Sequence, residues 1–126
     1  MALLYEEITN NILAACFEVS KDLGAGFLES VYQNALVIVL HEKGLTLERD
    51  HPLAVSFHGQ IVGQFYADIM VEDKIILELK AVSALTDIHK AQVINYLKAT
   101  GIEVGLLINF GNPKLEYRRF ENRFKK

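Results

Sequence analysis

The sequence predicts an α/β protein, and three observations carry that reading. Helix-spaced apolar residues fill the first forty positions, an alternating hairpin follows in the middle, and a solid apolar strand comes after one further helix. The hairpin organises the rest. Two alternating runs from Tyr66 to Lys80 flank the polar tripeptide Glu72-Asp73-Lys74, a three-residue loop. Centring the loop on Asp73 pairs Val71 with Ile75 and sets Asp68 opposite Glu78. Side chains alternate along a strand, so Phe65, Ala67, Ile69 and Val71 share an apolar face with Ile75, Leu77, Leu79 and Ala81. The other face carries Tyr66, Asp68 and Met70 against Ile76, Glu78 and Lys80. Like charges facing across a ladder repel, so a cation is expected between Asp68 and Glu78, with Lys80 further along. The competing reading is a half-exposed sheet on which Lys80 merely pairs with two surface acids.

Taken in order, Leu4, Ile8, Ile12, Ala15, Phe17 and Val19 put a helix over residues 2–22, stopped by Gly24-Ala25-Gly26. Those glycines follow a helix and lack a third partner, which excludes a dinucleotide-binding fingerprint. A second helix runs from about Phe27 to Lys43, with Val31, Ala35, Leu36 and Val39 facing inward. Glu29 in its first turn suits the helix macrodipole without any chemistry, and Tyr32 follows one turn along. Residues 45–57 read as extended around Pro52, His58-Gly59-Gln60 as a turn, and Ile61 as the start of the strand reaching Asp68. A third helix spans Thr86 to Thr100, capped by Thr86 or Ser83 and closed by Gly101. Gln92 and Tyr96 share one of its faces, with His89 a turn earlier. Residues 102–109 form a buried strand, parallel to the one bearing Glu78 through a right-handed crossover.

The 126 residues fit a single domain over 1–126, with no apolar run long enough for a membrane span and no signal-peptide pattern. Cys16 is the single cysteine, which excludes a disulfide framework and cysteine-ligated clusters. The four histidines show no paired metal-ligand spacing. A cytoplasmic location is the expectation. The net charge of −3 is uneven: residues 114–126 carry +4, leaving −7 elsewhere. That basic end, with Arg118, Arg119 and Arg123 among aromatic residues, suits either a phosphate backbone or a solvated tail.

Gly26-x-x-Glu29-x-x-Tyr32 followed by Ala35-Leu36, then Asp68, then Glu78-Leu79-Lys80, resembles the GxxExxY-type branch of the PD-(D/E)XK nuclease superfamily. Gln92-x-x-x-Tyr96 is similar to the glutamine–tyrosine motif of recombination helicase–nuclease and λ-type exonuclease domains. The resemblance runs from about Ile8 to Phe120. It implies a restriction-endonuclease-like αβββαβ core with a mixed sheet and an extra N-terminal helix. It also implies that Glu29, Asp68, Glu78 and the Leu79 carbonyl bind Mg²⁺ or Mn²⁺, and that Lys80 stabilises the transition state. Gln92 would position the nucleophile or backbone, and Tyr32, Tyr96, Arg118, Arg119 and Arg123 would contact nucleic acid. Ala67 stands where the superfamily usually has proline before the aspartate. The implied activity is metal-dependent hydrolysis of DNA, exonuclease-like, yielding a 5′-phosphate. Its alternatives are a non-catalytic nucleic-acid-binding or assembly module on the same fold and a structure-selective junction endonuclease. A chain this short suggests a homo-oligomer, a two-fold dimer rather than a ring.

Overall fold

The structure, a computed structural model, describes residues 3–122. Three helices and five strands follow in the order α1 (Glu6–Leu23), α2 (Glu29–Glu42), β1 (Leu47–Phe57), β2 (Gln60–Val71), β3 (Ile75–Lys80), α3 (Asp87–Thr100), β4 (Val104–Asn109) and β5 (Glu116–Glu121). The strands form one mixed sheet in sequence order, with every neighbouring pair antiparallel except β3 and β4. The predicted mixed α/β core with an additional N-terminal helix is therefore present.

Helices cover both faces. Ile12, Ala15, Cys16 and Val19 of α1 join Tyr32, Leu36 and Leu40 of α2 over Ile69, Leu77, Leu79, Leu106 and Ile108. On the opposite face α3 lays Val93 and Leu97 over Leu107 and Ile76. A strand sandwiched this way has no solvent side, which is why all six residues of β4 are buried and its sequence lacks alternation. Gly105 permits the close approach of α3, since a Cβ there would lie 2.8 Å from Val93 Cγ1. Thr86 caps α3 as expected. Its hydroxyl accepts from the His89 N–H at 3.3 Å, and His89 Nδ1 accepts from the Thr86 N–H at 3.1 Å. That capping box occupies His89.

The hairpin register is the expected one, with Val71 opposite Ile75. The ladder, however, ends at Ile69 and Leu77, one pair short of Asp68 and Glu78. Beyond that point β2 leaves β3 and stays paired with β1 as a two-stranded ribbon. Freed from β3, the ribbon leans over α3, and Phe65 stacks on Tyr96 with ring centroids 3.6 Å apart. The expected shared face of Phe65, Ala67, Ile69 and Val71 is thus corrected. Ile69 and Val71 pack under α1 and α2, whereas Phe65 and Ala67 belong to the α3 side.

A second correction concerns the basic segment expected as a tail. Residues 116–121 form β5, paired antiparallel with β4 from Asn109–Glu116 to Val104–Glu121. Leu115 is buried, and Arg119 is tied to α1 through Thr9 and the Leu4 carbonyl. Charge count concealed a strand whose apolar contacts lie at its ends. Phe17 of α1 lies half-exposed against the edge of Tyr117.

Candidate active site

The end of the β2–β3 ladder is where the charged side chains gather. Since the strands part there, Asp68 turns its carboxylate into the gap, and Oδ2 accepts from the Leu79 N–H at 2.8 Å. Glu78 answers in the other direction by interacting with the Asp68 backbone N–H. The two acids therefore do not oppose each other in a regular pair, as the sequence suggested. They sit side by side at a break, each bound to the other's strand.

Burial sets their chemistry. Glu78 is only 6% exposed, and its Oε1 has no hydrogen-bond partner among the described residues. Desolvation and the Asp68 charge push its carboxyl up to about 8, against the opposing pull of Lys80. Asp68 is raised too, first by burial and then by Glu29, while the Leu79 N–H and Lys80 act the other way. Glu29, exposed at the first residue of α2, thus acts on both acids from the helical layer. Lys80, at the end of β3, is the cation felt by both.

Gln92 and Tyr96 share a face of α3, as their spacing suggested. Gln92 hydrogen-bonds the Tyr96 hydroxyl, and the Tyr96 phenol is raised by burial and then by the charge of Glu78. Glu29, Asp68, Glu78, Lys80, Gln92 and Tyr96 are therefore linked by contact or by charge around one end of the sheet.

Two expected nucleic-acid contacts, Tyr32 and Arg119, do not reach this site. Tyr32 is fully buried. Its hydroxyl donates to the Gly24 carbonyl at 2.6 Å and accepts from the Phe27 N–H at 3.2 Å, and its ring stacks on Phe110 at 4.8 Å. It staples the α1–α2 turn and cannot touch a polynucleotide. Arg119 is committed inward, pairing with Glu121 at 2.8 Å and with α1. Arg123 lies outside the described residues. Arg118 remains exposed on β5.

Two residues not foreseen are here. Gln33 of α2 donates to the Asp68 carbonyl at 2.9 Å and to Asp50 Oδ1 at 3.2 Å. Asp50, in β1, adds a further negative charge felt by Asp68. The signal for Gln33 was available, since it lies four residues after Glu29 on the same helix face. Asp50 had none, because its neighbourhood depends on how β1 lies beside β2.

Among the described residues, no three His, Cys, Asp or Glu side chains are close enough to cage a metal ion by themselves. The donor set nevertheless suits a hard divalent cation. Glu78 presents a buried oxygen with no other partner beside a second carboxylate, and magnesium keeps several waters rather than demanding an all-protein cage.

A mixed sheet that brings one buried carboxylate, one half-buried carboxylate and a lysine to the end of one strand pair defines a candidate hydrolytic site. A family model of the PD-(D/E)XK nuclease superfamily matches residues 6–120, and the chain belongs to that superfamily. No curated protein matches the chain. Among solved structures, the fold is similar to the crystal structure of SSO0001, with a TM-score of 0.58 and 18% identity. The match covers 77% of this chain and 52% of that one, so this chain spans about half the length of that relative. No described helix is long and apolar enough to cross a membrane.

Proposed function

We propose that this chain is a Mg²⁺- or Mn²⁺-dependent deoxyribonuclease that hydrolyses phosphodiester bonds in an exonuclease-like manner. The observation that carries the reading is Glu78, a buried acid with an unpartnered oxygen, beside Asp68 and within the field of Lys80. Leaving such an oxygen unsatisfied costs about 1–3 kcal/mol or more, so the fold maintains it against its own stability. A cation between Asp68 and Glu78, with the Leu79 carbonyl as a further donor and Glu29 acting by its charge from α2, would lower the pKa of a water and neutralise phosphoryl charge.

Lys80 stabilises the extra negative charge that develops on the phosphoryl oxygens. Gln92 orients the water or the strand, and Tyr96, held by Phe65 and Gln92, supports it. The water oxygen bonds to phosphorus, the bond from phosphorus to the 3′ oxygen breaks, and a proton reaches the departing oxygen. A 5′-phosphate and a 3′-hydroxyl result.

The test is an end-labelled cleavage assay over several divalent metals on single-stranded, double-stranded and branched DNA, with Glu78→Ala as control. Stepwise shortening by the wild type, absent in Glu78→Ala, supports the reading. Binding without turnover on every substrate assigns the chain to the non-catalytic class instead. Equal cleavage by wild type and variant rejects the site.

A further inference from the structure

The loops beside the active end of the sheet are stitched together by one buried side chain. Asn109, at the end of β4, is fully buried. Its Oδ1 accepts from the N–H groups of Val82 at 3.0 Å and Gly111 at 2.9 Å. Its Nδ2 donates to the Val82 carbonyl at 2.9 Å and to Glu116 Oε1 at 3.2 Å. The Leu85 N–H adds a bond to the same Glu116 oxygen at 3.3 Å, and Asn112 Nδ2 donates to the Ser83 carbonyl at 2.8 Å. Gly111 completes the seam, since any Cβ there would collide with the Val82 backbone.

Over this seam opens a cleft of about 680 Å³, lined among others by Ser83, Asn112, Lys114 and Arg118. Its acid, Glu116, is already engaged by Asn109 and Leu85 and lies 4.0 Å from Arg118. Lys114 and Arg118 therefore leave the cleft with a surplus of positive charge, in a chain whose overall charge is −3. Its position relates it to the acids. Glu78 pairs with Leu107, and Leu107 with Arg118, so the three lie in register across β3, β4 and β5. In-register residues share a face, which puts Arg118 on the Glu78 side of the sheet at two strand spacings, about 10 Å.

We propose that this cleft holds the phosphodiester backbone of the substrate strand a short distance along from the bond being cut. The inference rests on the nuclease reading and adds a second contact region to it. An open cleft with two basic side chains over a backbone fixed by the Asn109 bonds suits a continuous polyanion that enters and leaves freely. The backbone beneath Lys114 and Arg118 is already held by those bonds, so their salt-dependent attraction is offset mainly by ordering of the two side chains themselves.

The experiment measures binding of fluorescent single-stranded DNA of two and twelve nucleotides in EDTA, where no cleavage occurs, across a salt series. Wild type is compared with Lys114→Ala/Arg118→Ala. Wild type should bind the twelve-mer at least tenfold more tightly than the dinucleotide, and the double variant should lose most of that increment. The slope of log affinity against log salt should become shallower by about 1.4, for two phosphate contacts at roughly 0.7 each. A thermal melt matching wild type excludes misfolding, and the single variant Arg118→Gln gives an intermediate loss that does not depend on the double change. Unchanged affinity and slope overturn the proposal. So does saturable binding of inorganic phosphate that needs Lys114 and Arg118 without any dependence on strand length. If DNA is cut with Mg²⁺ but both proteins bind alike, the cleft fails and the nuclease reading stands. If binding depends on the cleft but no metal supports cutting, the reverse holds.

Discussion

The two faces of the sheet each carry a helix with a tyrosine at a recognisable spacing, and the two tyrosines have opposite fates. Tyr32 of α2 is closed on every side, stacked on Phe110 and bonded to the Gly24–Phe27 turn. Tyr96 of α3 is only partly buried, rests on Phe65, and feels the charge of Glu78. One holds the helical layer together, and the other stands beside the acids of the candidate site. The contrast teaches that a motif position says little about role until its surroundings are known. Polar spacing was similar in both helices, but α2 lies over the apolar face of β3 and α3 over the face that bears its acid.

The sharpest way to test the contrast is at the acid itself. Glu78→Gln keeps the shape of the side chain but removes its charge, and should lower DNA cleavage by about a thousandfold or more, in line with losing a preorganised charged group. Its thermal midpoint at pH 8 should equal or exceed wild type in EDTA, because a desolvated charge is gone. A variant both inactive and strongly destabilised would contradict this separation of function from stability.

The other face should behave inversely. Tyr32→Ala removes a fully buried ring and should cost about 3–5 kcal/mol in urea unfolding. Any cleavage that survives at low temperature should show an unchanged metal requirement. A Tyr32→Ala protein of normal stability that fails to bind DNA would restore Tyr32 as a contact and break the comparison.

A further difference concerns pH. The Glu78 carboxyl titrates near 8 in the folded chain against 4.5 ordinarily, so between these values the folded state holds a proton that the unfolded chain has released. Stability of the metal-free protein is therefore full below pH 4.5 and is lost as pH rises towards 8. Asp68, also raised, works in the same direction. Each step of one pH across that window removes about 1.4 kcal/mol at most, so the loss should reach on the order of a few kcal/mol. Chemical unfolding in EDTA at a series of pH values checks it, and Glu78→Gln should flatten the curve. Added Mg²⁺ or Mn²⁺ should raise the melting temperature more at pH 8 than at pH 5, since a cation competes with the proton for the same oxygen.

The smallest effect is expected at Tyr96→Phe, which keeps the stack on Phe65 and loses only the hydroxyl that Gln92 engages. Cleavage should fall by no more than about tenfold, with stability changed by roughly 1 kcal/mol. A loss as large as that of Glu78→Gln would promote Tyr96 from a supporting group to a catalytic one.

Local pattern was sufficient for three helices, the hairpin with Val71 opposite Ile75, the parallel strand and the grouping of Asp68, Glu78 and Lys80. Caps, glycine stops and alternation depend on residues a few positions apart, so they are written along the chain. The departure of β2 from β3, the commitment of Arg119 to α1, and the grip of Gln33 on the Asp68 carbonyl were settled only in three dimensions. Gln33 finds its partner 35 residues away and Arg119 finds Thr9 at 110. Charge and spacing name which groups are available. Which of them are left facing one another, and which are buried out of reach, is decided by packing between segments that have no local reason to meet.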